Sequence, residues 1–376
     1  MRFKFLNRFK RITYSTTYLP EVDGLRFLAI FSVVVIMHIT NYMNEKFYDE
    51  QLLTSSYWRN FMVGGGSGVP LFFMISGFIL SLPFARWRLK GDKPVYLKRY
   101  FLRRVTRLEP PYLIALIIFF IANVWVIGKH DFDVQLPHLL ASAVYLHNFI
   151  YGSFSTVLPI AWSLEIEVQF YILAPVFSLI FLLRSDKWRW LLMFAIIMAS
   201  ALFWFDTWNV LHVFVYLHYF FSGILLADLY CKNVKLIKTD KLGLLIGVLA
   251  LLGFLFVPSF KYMPGYLLKI VCMFFLFHTA VMNVYIKRMF SVPTLVMIGG
   301  MCYSIYLLHL AIISATGRLL VQSGLDVSNH FFLWLFLILF IAMILIVSAL
   351  FFILVEKPFM KPIGIKTQNV DVEVGL

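Results

Sequence analysis

Ten apolar runs follow one another along the 376 residues, at about 24 to 43, 67 to 84, 108 to 127, 160 to 183, 190 to 205, 210 to 230, 242 to 257, 264 to 285, 292 to 316 and 331 to 355. At about 1.5 Å of rise per residue, roughly twenty such residues cover a hydrocarbon layer of about 30 Å. Inside that layer every backbone amide must find its partner within the segment, and uninterrupted apolar runs of this length do so as helices. The expectation is an all-α integral membrane protein, a single bundle of about ten transmembrane helices. With 61% of residues hydrophobic and 14% charged, the composition lies far outside that of soluble domains.

The net charge of +14 is explained by where the charges fall. An even number of spans leaves both termini on one side. With the N-terminus in the cytoplasm, successive inner segments carry 5, 9, 3, 4, 2 and 3 Lys/Arg, so 26 of the 33 lie inside and five outside, with Arg26 and Lys269 within spans. This is the positive-inside bias of a multi-pass protein of the cell membrane, and it leaves no need for a nucleic-acid partner. Three segments follow: a basic cytoplasmic lead over 1–23, a transmembrane domain over 24–358, and a cytoplasmic tail over 359–376. MRFKFLNRFKR resembles the basic region of a signal peptide, but the apolar run after it is long and has no small-residue cleavage site, so it reads as a retained helix.

Ionisable side chains inside a span are expensive to keep there and by default have a function. The first span, VDGLRFLAIFSVVVIMHIT, holds Arg26 and His38. The second follows GGGSG and contains Ser76 and Gly77, small enough to let another helix approach closely. The segment RWRLKGDKPVYLKRYFLRRVTRLEPPY is the most basic in the chain. Its Arg103, Arg104 and Arg107 are expected on a short helix or turn at the membrane surface, ended by Pro110 and Pro111. Arg104 and Arg107, three apart, share a face and could grip phosphate oxygens; the alternative is that they only hold the loop inside.

The stretch from Gly128 to Pro159 is expected as an outer loop, with His130, His138 and His147 at its surface. It leads into AWSLEIEVQFYILAP, with Trp162, Ser163, Glu165 and Glu167 at the outer entrance of the fourth span; a solvated carboxylate is one reading of Glu165. Lys269 is expected to snorkel to an interface, and His212, His218 and His278 to bond within the bundle or near its faces. The ninth span brings Tyr303, Tyr306 and His309 together, the last two on one face. Glu356 is expected at the cytoplasmic interface, where Pro358 stops the last helix. Neither the histidines of the outer stretch nor Cys231, Cys272 and Cys302 have the spacing of a metal site.

VDGLRFLAIFSVVVIMH, GVPLFFMISGF, RRVTR with LEPPY, AWSLEIEVQFYILAP, YSIYLLH and VEKP, in this order, resemble the membrane acyltransferase type 3 family. The resemblance implies an enzyme that takes an acyl group, usually acetyl, from cytoplasmic acyl-CoA to a hydroxyl of an extracytoplasmic glycan or glycolipid. It implies no bound cofactor beyond acyl-CoA as co-substrate. Carried over by motif, His38 is the essential histidine, with Arg26 before it and Glu167 as the first glutamate of the fourth-span motif. Arg104 and Arg107 are the acyl-CoA-binding pair. Trp162, Ser163, Tyr306 and His309 bind the acceptor or support the site, and Ser76, Gly77 and Glu356 belong to structural motifs. The chain departs from the family pattern at Pro70 and Val168, and in having eleven residues between Arg26 and His38 where ten are expected. Twelve positions at 100° leave these two side chains about 120° apart on an α-helix, an offset that a π-bulge would absorb.

For such chemistry a neutral histidine suits the acceptance of a hydroxyl proton near pH 7, with Glu167 the expected carboxylate beside His38. Acyl transfer to His38 itself is the alternative route. The rival from another class is a transporter or flippase of a lipid-linked sugar, which would show inverted repeats with interrupted helices; the sequence shows none.

Overall fold

A computed structural model of the chain describes residues 9, 11, 18–47, 61–62, 64–128, 130–203, 211–257, 262–322 and 330–360. Among them there is no strand, and eight helices are long and apolar enough to cross a membrane. These are α1 Pro20–Lys46, α2 Gly65–Lys90, α3 Leu97–Val126, α6 Ala161–Leu182, α8 Val213–Cys231, α10 Met263–Met282, α13 Cys302–Gln322 and α14 Trp334–Phe359. Shorter helices intervene: α4 Phe132–Ala143, α5 His147–Tyr151, α7 Asp186–Phe203, α9 Asp240–Phe256, α11 Val284–Phe290 and α12 Pro293–Gly300. The chain is thus an all-α, multi-pass membrane protein. The expected fifth and seventh spans are α7 and α9; α7 opens on Asp186, Lys187 and Arg189, and α9 has 17 residues. The expected tail beyond 360 lies outside the described residues.

Burial sorts the helices. Helix α2 is the most enclosed and α14 is largely open to lipid, in keeping with its high hydropathy. The most extensive crossing joins α2 to α8 through glycines. A Cβ on Gly77 would fall 2.2 Å from the Phe220 carbonyl oxygen, and one on Gly223 would fall 2.1 Å from that of Met74. Such backbone-to-backbone packing is what small residues permit where lipid tails offer no hydrophobic contrast.

Helix α1 is not α-helical throughout: Ser32–Ile39 forms a π-helix. Its widened turns receive the start of α2. A Cβ on Gly65 would lie 2.7 Å from the Ser32 carbonyl oxygen and 2.8 Å from the Met37 nitrogen, and the Ser32 hydroxyl donates to the Gly65 carbonyl at 2.9 Å. The extra residue between Arg26 and His38 therefore falls in a stretch of i→i+5 bonding.

Four expectations change. Helix α3 runs unbroken through Pro110 and Pro111, so the arginines share a membrane-crossing helix and not a short surface turn. A bundle can supply substitute partners for the backbone groups that proline frees. The stretch after Gly128 is not a surface loop. Helix α4 returns alongside α3 until the Tyr112 hydroxyl donates to the Ser142 carbonyl at 2.9 Å and Tyr145 stacks on Tyr112 at 4.7 Å, midway along α3. His147 is fully buried and bonds His138 at 2.9 Å. The signal was present: no Asp, Glu, Lys or Arg occurs between Asp133 and Glu165. Lys269 does not snorkel; it is buried, and its ammonium donates to the Phe254 carbonyl near the end of α9. Glu356 is likewise buried, accepting from the Ser304 hydroxyl, and does not face the interface.

Candidate active site

A cavity of about 1080 Å³ opens beside the basic segment and runs into the bundle between α1, α2, α3, α6 and α13. Arg86, Lys93, Arg99 and Arg103 line it on the side of that segment, carried by the end of α2, the link to α3 and the first turns of α3. Arg104 and Arg107 line it further along α3. The Arg104 guanidinium lies 3.6 Å over the Tyr100 ring and donates to the Tyr100 carbonyl at 2.7 Å, one turn back on its own helix. Arg107 approaches Glu356 at 4.0 Å. Tyr303, whose hydroxyl donates to the Leu108 carbonyl at 2.9 Å, ties α13 to this part of α3.

At the neck, Asp23 gathers three donors. Arg26, one turn along α1, and Arg11 at 3.3 Å share its Oδ1, and the Tyr18 hydroxyl takes Oδ2 at 2.9 Å. Asp23 and Arg11 escaped notice in the sequence, although an acid three residues before Arg26 on a helix is the spacing of an ion pair. Ser76 and Glu167 also line the cavity, and the Ser76 hydroxyl donates to Glu167. The neighbouring Gly77 serves the α8 crossing. Glu165, two residues from Glu167, faces elsewhere. It is buried, not solvated, and accepts the Asn148 amide at 2.8 Å.

The inner end of the cavity is a pair of hydroxyls, Ser163 Oγ and Tyr306 Oη, 2.7 Å apart. Trp162 stands beside it in an aromatic layer with Phe73 and Tyr216, its ring centroid 6.4 Å and 5.9 Å from theirs. One side chain further, and outside the cavity lining, His309 packs against Tyr306 at 5.6 Å and His38 stacks on His309 at 4.9 Å. His309 is fully buried, whereas His38 is partly exposed.

The hydrogen bonds determine the tautomers. His309 Nδ1 lies 2.7 Å from the Tyr306 carbonyl oxygen, which can only accept, so Nδ1 carries the proton. In the neutral pair, His309 Nε2 is then an acceptor, and His38 Nδ1 donates to it at 2.8 Å. This leaves His38 Nε2 with a free lone pair, the state of a general base. As His38 takes up a proton, the oriented His309 acceptor stabilises the imidazolium. That is the part expected of Glu167, which instead accepts from Ser76; no hydrogen bond joins it to His38 among the described residues. Arg26, held by Asp23 at the neck up to about 18 Å of helix rise from His38, also stands apart from it.

The structure thus groups His38 with His309, Tyr306 and Ser163, and separately groups Arg26, Arg104, Arg107 and Glu167 along the cavity. A family profile described as an acyltransferase domain matches residues 19–353. A Staphylococcus aureus (strain COL) protein that bears the provisional name O-acetyltransferase is 29% identical over 94% of this chain and 59% of its own. The peptidoglycan O-acetyltransferase OatA of Listeria monocytogenes is 26% identical over 94% of this chain and 57% of its own. The chain therefore spans about three-fifths of the length of these curated relatives. No solved structure matches it.

Proposed function

The chain belongs to the acyltransferase-domain family, and from that premise we propose that it moves an acyl group, most simply acetyl, from cytoplasmic acyl-CoA to a hydroxyl of an extracytoplasmic glycan or glycolipid. The observation that carries this reading is the cavity itself, basic at its open end and closed by the Ser163–Tyr306 hydroxyl pair one side chain short of the His38–His309 couple. A nucleotide bearing several phosphates suits the open end. Its flexible arm can bring a thioester to the hydroxyls, so the acyl group crosses while the nucleotide stays on its own side. Trp162 supports the aromatic wall beside this end.

His38 Nε2 takes the proton of the acceptor hydroxyl as its oxygen bonds to the thioester carbonyl carbon. Hydroxyl donors at Ser163 or Tyr306 are placed to receive the charge that develops on the carbonyl oxygen. When the carbon–sulfur bond breaks, the thiolate leaves with the bonding pair and the proton held by His38 returns to sulfur. Arg104 and Arg107 bind the donor, and Arg26, fixed by Asp23, orients it at the neck. The acetyl group and the glycan class are suggested by what the similar bacterial proteins are named for. Family membership also favours acyl transfer over the transporter alternative.

Membrane vesicles of both orientations, given acetyl-CoA labelled in its acetyl group, test donor and sidedness together. Labelled glycan should form only where the cytoplasmic face meets the donor. Equal labelling from either face, or none from acetyl-CoA in vesicles that contain folded protein, would overturn the reading.

A further inference from the structure

The neck of the cavity carries more positive charge than its carboxylates balance. Arg11, Arg26, Arg104 and Arg107 all line it. Three carboxylates stand against these four guanidinium groups: Asp23 Oδ1 is shared by two of them, Glu356, already bonded to Ser304, reaches only one at 4.0 Å, and Glu167, bonded to Ser76, acts on Arg26 through space. The Nε atoms of Arg11, Arg104 and Arg107 are buried and have no acceptor among the described residues. Burial lowers the pKa of Arg11, and Arg107 and Arg26 lower it further, against the pull of Asp23. Asp23 does not need Arg11 for its own satisfaction, because Arg26 and Tyr18 already occupy its two oxygens. Clustered guanidinium groups with unmet Nε donors and incomplete counter-charge are costly to hold together unless an anion with several oxygens completes the site.

We propose that Arg11, arriving from the segment before the first helix, completes with Arg26 and Arg107 a phosphate-binding cluster at the neck, and is a donor-binding residue of the enzyme. The donor role rests on the reading that the cavity takes acyl-CoA, whose pyrophosphate is a group of this chemistry. A phospholipid headgroup would offer the same oxygens from another source. The cluster also gives the N-terminal segment a function, since a bound phosphate would bridge it to α1 and α3.

The full chain in phosphatidylcholine nanodiscs, melted with increasing inorganic pyrophosphate and, separately, with CoA, tests the cluster. Both ligands should raise the melting temperature of the wild type. Arg11→Gln should need about ten- to a hundredfold more of either for the same shift, the range for losing a charge-assisted hydrogen bond. Arg11→Lys, which keeps the charge without the fork, should fall between and guards against misfolding of the glutamine variant. Tyr18→Phe removes a bond to Asp23 without removing a cation, so it should respond like the wild type. Equal half-saturation for Arg11→Gln and wild type, or an equal loss in Tyr18→Phe, would overturn the proposal. A response to pyrophosphate with none to CoA would overturn the acyl-CoA reading and leave the cluster standing. Nanodiscs rich in phosphatidylglycerol that abolish the pyrophosphate response would assign the cluster to a lipid headgroup and overturn its donor role.

Discussion

His38 Nε2 owes its lone pair to a chain of donors that begins at a backbone carbonyl: Tyr306 O orients His309, and His309 orients His38. His38→Gln keeps some hydrogen bonding but cannot act as a base, so acyl transfer by folded protein should fall by about 10²- to 10⁴-fold. A glycan acetylation assay normalised to folded enzyme reads this; turnover near wild type would remove His38 from the chemistry. The arginines make the complementary case, because they line the cavity and His38 does not. Arg104→Ala with Arg107→Ala should raise KM for acyl-CoA at least about tenfold, each charge-assisted bond being worth about 1.5–3 kcal/mol. An unchanged KM in inserted protein would make these two arginines topological only.

At the scale of the element, the π-helix Ser32–Ile39 governs how α1 presents Arg26 and His38 relative to each other. Removing one residue inside it, such as Val35, should let the segment revert to i→i+4 bonding, with Arg26 and His38 eleven positions apart and within about 20° of each other, so that His38 keeps its orientation. The expected result is protein that still inserts and retains acyl transfer. Loss of acyl transfer in inserted protein would mean that the widened turns do more than absorb the extra residue. The unbroken α3 works in the same way. By continuing through Pro110 and Pro111 it carries Arg104 and Arg107 along the cavity wall, where a terminated surface turn would have left them in the headgroups.

For the whole molecule, the bias of 26 Lys/Arg against five, counted over the ten expected spans, predicts that both termini are cytoplasmic. A C-terminal reporter that works only inside the cell should therefore be active, and activity of an outside-only reporter would reverse the assignment of donor and acceptor faces. Membrane class, helical architecture and most spans were legible in the amino-acid sequence because hydropathy acts locally: a run of twenty apolar residues has one answer in lipid wherever it packs. The polar motifs were legible too, and the extra residue between Arg26 and His38 raised a π-bulge as one way to keep the two aligned, without deciding it. What stayed hidden depended on partners distant in the chain. Nothing near His38 in sequence announces His309, 271 positions away. Nothing near Glu165 or Lys269 announces the amide and the carbonyl that let these groups stay buried. The return of α4 into the bundle was marked only by missing charge. Sequence by itself determined that this chain crosses the membrane repeatedly as helices carrying a few costly polar groups. Tertiary packing alone decided which of those groups meet, since hydrogen-bond partners and tautomers are set by distances of about 3 Å between helices, which no local pattern encodes.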